Sequence, residues 1–170
     1  MNLKILSLVI IGVCILLPDV CYAFLEKDVH LLNMQNGLAD NTVSAVYKDK
    51  EGFVWFGTRN GLSRYDGRQI TNFEQSNSYP SISNLKEVFD GVLAFVDNGV
   101  FSAFDLKKER FLSVVSSSGQ GIPSRGMLQK NDSLVWVISG SELHLMKRCA
   151  SKEGELRLRV QEKYTCLLYT

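Results

Sequence analysis

Short apolar segments separated by tight polar turns fill the chain between residues 42 and 73. The first segment alternates strictly, so that Val43, Ala45 and Tyr47 share one face, as in a strand buried on one side. The segment around Trp55 is apolar at every position, which is typical of a strand buried on both sides. The predicted strands are residues 42–48, 53–56, 62–65 and 70–73. Four successive strands joined by short turns predict one antiparallel meander sheet.

Glycine and aspartate mark the turns between these strands. Asn60-Gly61 tolerates the positive φ angles that a two-residue hairpin demands, and Asp66-Gly67 makes a second tight turn. Asp49 and Asp66 are expected to form turns rather than to act as acids, because an aspartate side chain bonds the amides that follow it. The glycines expected to serve backbone geometry rather than phosphate binding are Gly57, Gly61 and Gly67.

The same unit recurs with a period of about 40 residues. Residues 90–95 repeat the turn and buried strand that end at Phe56, and residues 97–99 repeat the Asn60-Gly61 hairpin. Trp136, in a third apolar run, lies 81 residues after Trp55. A four-stranded unit with this period is typical of a β-propeller blade, so we predict an all-β propeller fragment of about three blades in an incomplete ring. The alternative is a β-sandwich, although sandwiches do not repeat their turn chemistry at a fixed period.

The first 23 residues follow the pattern of a secretory signal peptide. Lys4 precedes an apolar run over residues 5–17, Pro18 ends it, and small residues lead to a predicted cleavage between Ala23 and Phe24. An apolar run of this length is too short to span a bilayer of about 30 Å. The sequence therefore predicts export to the periplasm, with an N-terminal membrane anchor as the alternative.

The last five residues resemble the translated adapter of a transposon-based sequencing library, with a chance pentapeptide as the alternative. The expected segments are a signal peptide at 1–23, a first blade at 24–75, degenerate second and third blades at 76–117 and 118–165, and adapter read-through at 166–170. Residues 29–32 are expected to be the outer strand that closes the last blade of the ring. Cys149 is then a lone cysteine, unless it pairs with Cys166 in an oxidising compartment.

Composition excludes several classes of protein. Hydrophobic residues make up 45% of the chain and charged residues 22%, near the averages for globular proteins. The net charge is +1 and no block of like charge occurs, which argues against a nucleic-acid partner. Neither His30 nor His144 has a cysteine, histidine, aspartate or glutamate at the spacing of a metal-binding motif. Because catalytic and nucleotide-binding motifs are also missing, we expect no enzyme activity, metal or cofactor in these residues.

Residues 37–67 resemble the two-component regulator propeller repeat. The resemblance rests on Gly37-Leu-Ala-Asp-Asn-Thr-Val and on Asp49-Lys-Glu-Gly-Phe-Val-Trp-Phe-Gly-Thr-Arg-Asn-Gly-Leu-Ser-Arg-Tyr-Asp-Gly67. The repeat-motif residues of this chain are Asp49, Gly52, Trp55, Gly57, Thr58, Asn60, Gly61, Leu62, Tyr65, Asp66, Gly67 and Trp136. The second blade departs from the pattern, because Ala94 and Val96 stand where the family usually has Trp and Gly.

The resemblance implies a periplasmic sensor at the N-terminus of a hybrid two-component histidine kinase of the Bacteroidetes type. In that family, propellers precede a β-sandwich, a membrane helix and the kinase, so the full-length protein would be anchored in the inner membrane. The implied partners are an oligosaccharide ligand, the rest of the receptor chain and a second copy in a homodimer. The alternative is the N-terminal part of a secreted propeller enzyme or lectin that acts on glycans.

Aromatic and basic residues are the candidate ligand groups, but the sequence assigns no binding residue. Trp55 and Trp136 are expected to fill the space between blades rather than to stack on sugars, because each lies in an apolar run at the same place in the repeat. Arg59, Arg64 and Arg68 cluster near one hairpin and are candidates for holding an acidic sugar. The favoured interpretation for these arginines is an exposed blade edge.

Overall fold

The structure is a computed structural model that describes residues 30–74 and 81–165. The predicted signal peptide and the adapter segment at 166–170 lie outside these residues. The chain divides into two compact units, Met1–Leu31 and Leu32–Thr170. Of the first unit only His30 and Leu31 are described, and both are exposed and outside regular structure.

The second unit consists mainly of β-strands. Its described elements are a short 3₁₀ helix at Met34–Asn36 and the strands β1 (Val43–Lys48), β2 (Val54–Thr58), β3 (Gly61–Tyr65), β4 (Ile70–Phe73), β5 (Ile82–Phe89), β6 (Val92–Asp97), β7 (Val100–Asp105), β8 (Arg110–Ser116), β9 (Gly126–Asn131), β10 (Leu134–Ser139), β11 (Glu142–Cys149) and β12 (Glu155–Thr165). Consecutive strands pair antiparallel within each group of four. We call β1–β4 blade one, β5–β8 blade two and β9–β12 blade three. The prediction of three four-stranded antiparallel blades is confirmed.

One face of β1 differs from the sequence prediction. Ala45 and Tyr47 pack towards the core, but the pairing of β1 with β2 shifts between Val43 and Ala45. This bulge interrupts the alternation of side chains. Val43 is therefore 39% exposed, and the prediction that it shares the face of Ala45 and Tyr47 is wrong.

Blades two and three form one continuous sheet, with the strand order β5-β6-β7-β8-β12-β11-β10-β9. The junction is a parallel pairing of their outer strands, from Ser113 opposite Glu155 to Ser116 opposite Leu158. At the opposite edges of this sheet, the side-chain Nδ2 of Asn84 donates a hydrogen bond of 3.3 Å to the carbonyl oxygen of Arg125. The eight-stranded sheet is thus nearly closed on itself.

The core consists of two layers of side chains, one on each side of blade two. Every residue of β6 is buried, because Leu93 and Phe95 face blade one while Val92 and Ala94 face blade three. The layer against blade one contains Trp55, Leu62, Ile82, Leu85, Leu93, Phe95 and Phe104. The layer against blade three contains Val88, Phe89, Val92, Ala94, Phe101, Ala103, Ile122, Val135, Val137, Met146, Leu156 and Leu158. Burial on both faces explains the continuous apolar run of β6.

The segment before β1 packs against the face of blade one that points away from blade two. The backbone N–H of Ala39 donates to Ser63 Oγ at 3.2 Å, and Asn72 Nδ2 donates to the carbonyl oxygen of Gly37 at 2.9 Å. Leu38, between these contacts, is buried. The described residues of the predicted closing strand, 30–32, are not in a strand, so the ring-closing role stays a prediction.

Two further observations bear on the sequence predictions. Cys149 is a free, partly buried cysteine, and Cys166 lies outside the described residues. In residues 30–74 and 81–165, no helix is both long and apolar enough to cross a membrane.

Candidate functional site

The turn between β1 and β2 is organised by the carboxylate of Asp49. Its Oδ1 accepts hydrogen bonds from the backbone N–H groups of Glu51 at 3.0 Å and Phe53 at 2.9 Å. Its Oδ2 accepts a bond of 2.7 Å from the indole Nε1 of Trp55. Gly52, with φ of +96°, completes the turn. Because three N–H groups occupy the carboxylate, Asp49 is a structural residue of the turn.

Trp55 lies in the core between blades one and two. It is 1% exposed, and its ring centroid lies 5.6 Å from that of Phe73 and 5.5 Å from that of Phe104. Phe104 belongs to blade two, so the indole links the two blades. A ring buried to this extent offers no face on which a sugar can stack.

The hairpin between β2 and β3 is held by its own side chains. Thr58 Oγ1 donates to the carbonyl oxygen of Gly61 at 3.0 Å and accepts from the backbone N–H of Asn60 at 3.1 Å. Gly61 has φ of +114°, and a Cβ there would lie 2.5 Å from the carbonyl oxygen of Phe73. Leu62, next in the chain, is fully buried.

Gly57 serves packing rather than backbone geometry, which corrects the sequence prediction. Its φ lies outside the left-handed region, but a Cβ there would lie 2.5 Å from Cγ2 of Ile82 and 3.3 Å from Cβ of Ala45. Ile82 opens blade two. The glycine therefore gives blade two the room to approach blade one.

The turn between β3 and β4 uses the remaining motif residues. Oδ1 of Asp66 accepts hydrogen bonds of 2.7 Å from the backbone N–H groups of Gln69 and Arg68, and these bonds lower the pKa of Asp66. The Tyr65 hydroxyl donates to the carbonyl oxygen of Gly67 at 2.8 Å. All of these contacts are local, as expected of a structural repeat.

Trp136 differs from Trp55 in its surroundings. Its neighbours in β10, Val135 and Val137, fill the core against blade two, so the indole points away from that blade. The ring is half-buried against Tyr164, with centroids 5.8 Å apart. None of the described blades covers that face, so the expectation that Trp136 fills a space between blades stays a prediction.

A cleft of about 360 Å³ opens beside the Asp49 turn, between blades one and two. Its apolar lining is Phe53, Trp55 and Leu106, and its charged lining is Asp49, Lys50, Glu51, Arg64, Glu87, Asp90 and Lys107. The first blade supplies one side and the turns of the second blade supply the other. Clefts that combine apolar walls with a few polar groups are typical binding sites for small ligands.

A buried carboxylate lies in this cleft. Glu87 is 7% exposed, and its Oε1 accepts hydrogen bonds from the backbone N–H of Gly91 at 3.1 Å and from Lys50 Nζ at 3.2 Å. The hydrogen bond and the charge of Glu87 raise the pKa of Lys50. Burial raises the pKa of Tyr47 on the adjacent strand, and the charge of Glu87 raises it further. Lys50 and Glu87 thus form an ion pair that joins the two blades.

Three other charged side chains of the cleft, Asp90, Lys107 and Arg64, are also paired. Asp90 lies 3.3 Å from Lys107 Nζ and 3.9 Å from Lys50 Nζ. Arg64 forms an ion pair of 2.6 Å with Glu109, while its guanidinium carbon lies 4.9 Å from the centroid of the Phe53 ring. In the described residues, no group of histidine, cysteine and acidic side chains is arranged to hold a metal ion.

The three candidate arginines do not form a cluster. Arg59 is exposed at the β2–β3 hairpin, and Arg68 is exposed in the turn at the other end of β3. Arg64 is 19% exposed and stacks on aromatic rings, so the interpretation as an exposed blade edge holds for the other two and fails for Arg64. The sequence reasoning missed Glu87, Lys50 and Lys107, because only the packing of two blades brings them together.

These elements define a segment of a β-propeller. Residues 37–60 match the sequence model of the two-component regulator propeller family. This match confirms the resemblance over residues 37–60. A comparison with curated proteins finds no significant match.

Solved structures share the fold. The extracellular domain of a hybrid two-component system from B. thetaiotaomicron has a TM-score of 0.57 and 18% identity, over 81% of this chain and 18% of that chain. A second such domain from the same organism has a TM-score of 0.59 and 16% identity, over 81% of this chain and 21% of that chain. Hsv2p of Kluyveromyces lactis has a TM-score of 0.53 and 12% identity, over 74% of this chain and 48% of that chain. At these identities, the likeness establishes the fold alone.

Proposed function

We propose that this chain is the N-terminal, ligand-sensing propeller segment of a hybrid two-component receptor, and that the receptor responds to an oligosaccharide. The observation that carries the proposal is the family repeat over residues 37–60, within a fold that is shared by extracellular domains of two-component systems. The chain spans 18% and 21% of the two Bacteroides chains, so the kinase, the membrane anchor and the homodimer are proposals about the longer protein.

The periplasm is the proposed location of this segment. The pattern of residues 1–23 supports export, with cleavage between Ala23 and Phe24. A sensor of this kind needs its ligand-binding part on the outer side of the membrane and its kinase on the inner side. Export of the propeller therefore fits the proposed function.

The arrangement of the motif residues supports binding rather than catalysis. Asp49 and Asp66 are occupied by hydrogen bonds in turns, and Trp55 is buried between blades. The cleft between blades one and two has the size, the apolar walls and the polar groups of a binding site for a small ligand. The oligosaccharide itself is proposed from the family resemblance.

Calorimetry on the complete sensor domain tests this function. We expect heat of binding with at least one oligosaccharide of a glycan panel, and chromatography of the mixture should show the glycan unchanged. Release of shorter products would favour a secreted propeller enzyme instead. Failure of every glycan to bind would overturn the proposed ligand class.

A further inference from the structure

Glu87 offers an unused acceptor in the cleft between blades one and two. Both of its hydrogen bonds go to Oε1, and Oε2 accepts none from the described residues, although it is not sealed from solvent. A carboxylate accepts about four hydrogen bonds, and the two bonds to Oε1 leave part of that capacity unused. Because Oε2 is open to the cleft, a ligand there can donate a hydrogen bond to it.

Hydrogen-bond donors stand next to this acceptor. Lys50 Nζ lies 3.2 Å from Glu87, and Lys107 Nζ lies 3.3 Å from Asp90. Both lysine side chains are largely exposed, so each ammonium has N–H groups left for a ligand. Carboxylates and ammonium groups therefore alternate along the cleft. A hydroxyl group suits such a lining, because it donates to a carboxylate and accepts from an ammonium at the same time.

The balance of charge disfavours an acidic ligand. The lining contains the cations Lys50, Arg64 and Lys107 and the anions Asp49, Glu51, Glu87 and Asp90. The anions exceed the cations by one, and each cation already has an anionic partner on the cleft or beside it. A uronate, sulfate or phosphate would place a further negative charge beside Glu87 and Asp90, which repel it. A neutral polyol leaves the ion pairs intact.

The walls and the volume suit a small, ring-shaped ligand. Phe53 and Leu106 give the cleft apolar sides, against which the C–H face of a sugar ring can pack. The volume of about 360 Å³ lies at the small end of the range for ligand pockets, roughly 300–1,000 Å³. The cleft therefore has room for a short part of an oligosaccharide rather than for a long chain.

We propose that this cleft is a subsite for a neutral saccharide unit, with Glu87 accepting and Lys50 and Lys107 donating hydrogen bonds to its hydroxyl groups. The proposal rests on the proposed function, since it assigns a position and a charge class to the oligosaccharide. It differs from the hypothesis that arginines hold an acidic sugar, because the guanidinium of Arg64 is already paired with the carboxylate of Glu109.

The two tryptophans of the chain make a direct test available. Its ¹⁵N spectrum has two indole N–H signals, from Trp55 beside the cleft and from Trp136 on blade three. Cellotetraose and mannotetraose serve as neutral probes, and tetragalacturonate serves as the acidic probe. We expect a neutral probe to shift the Trp55 signal of the full chain and to leave the Trp136 signal in place. The neutral probe should also bind with an affinity at least tenfold higher than that of tetragalacturonate.

Paired variants locate the binding. Glu87→Gln should weaken the neutral probe about tenfold or more, because it removes the carboxylate acceptor from the cleft. Asp132→Asn, an exposed carboxylate-to-amide change on blade three, is the matched control and should leave the affinity unchanged. Unaltered Trp136 signals in both variants show that the fold is kept.

The outcomes separate the subsite from the function. Binding of a neutral probe that leaves Trp55 unmoved, or that Glu87→Gln does not weaken, overturns the subsite and leaves oligosaccharide sensing in place. Stronger binding of tetragalacturonate overturns the neutral class. If no glycan of either class binds, both the subsite and the proposed ligand class fail.

Discussion

The indole N–H of Trp55 is bonded to the carboxylate of Asp49, over 2.7 Å from Nε1 to Oδ2. This bond joins the turn that opens β2 to the ring that packs against blade two. A local turn motif and a contact between blades are thereby fixed by one pair of residues. The spacing of six residues between Asp49 and Trp55 lets the indole N–H reach the carboxylate.

The first prediction concerns Trp55→Phe. The smaller ring retains contacts with Phe73 and Phe104 but leaves Oδ2 of Asp49 without its donor, so we expect a loss of about 1–3 kcal/mol in the free energy of unfolding. Urea denaturation, followed by circular dichroism, measures it. The matched change Trp136→Phe, at a half-exposed ring, should cost no more than about 0.5 kcal/mol. Equal losses in the two variants would contradict the structural role of the Trp55–Asp49 bond.

The second prediction concerns Arg64→Lys. Lysine keeps the charge but lacks the planar guanidinium that stacks on Phe53 while it pairs with Glu109 at 2.6 Å. We expect the free energy of unfolding to fall by about 1 kcal/mol, which is typical of a cation–π contact at a partly buried site. A double-mutant cycle with Glu109→Gln separates the ion pair from the stacking. A fully stable Arg64→Lys protein would show that the stacking contributes nothing.

The third prediction concerns the pH dependence of Asp97. Burial raises the pKa of this carboxyl, although Oδ1 accepts a hydrogen bond of 3.1 Å from the backbone N–H of Ser81. Because the folded-state pKa lies above the unfolded one, ionised Asp97 lowers the stability as the pH rises through the folded-state pKa. Asp97→Asn keeps an acceptor and removes the charge, so it should raise the melting temperature at pH 7 and give no gain near pH 3.

The control for this change is Asp105→Asn, a half-exposed aspartate in the same blade. It reports the general effect of exchanging a carboxylate for an amide. Thermal melts from pH 3 to pH 8 compare the two variants with the parent chain. A gain for Asp97→Asn that is as large at pH 3 as at pH 7 would refute the account of the buried charge.

The fourth prediction concerns export. Cleavage between Ala23 and Phe24 should yield a periplasmic chain that begins at Phe24, because the preceding residues have the pattern of a signal peptide. Intact mass spectrometry of the periplasmic fraction detects this N-terminus. A chain that retains Met1 and stays in the cytoplasm would contradict the proposed location.

Local turn chemistry made blade one predictable from the sequence. The Asn60-Gly61 hairpin and the Asp66-Gly67 turn depend on residues within a few positions of each other, and the structure forms the strands beside them. The repeat then extended this unit to the other blades. The bulge that exposes Val43 has no comparable signal, since it arises from the pairing of β1 with β2.

Contacts between distant segments were not predictable. The pairing of Ser113 with Glu155 depends on how blade three packs beside blade two, and the sequence of either strand does not specify it. The position of Glu87 against Lys50 likewise arises from the packing of two blades. Trp136 has the same place in the apolar run of the repeat as Trp55, and that place alone does not distinguish a buried ring from a half-exposed one.

The central claim, that this chain is the ligand-sensing segment of a two-component receptor, is tested most directly by phosphorylation. The complete receptor, reconstituted in nanodiscs, is incubated with labelled ATP in the presence and absence of a glycan that binds its sensor domain. We predict that the glycan changes the rate of autophosphorylation at least twofold, and that Glu87→Gln shifts this response to higher glycan concentrations. A receptor whose phosphorylation is unaltered at saturating glycan would contradict the account.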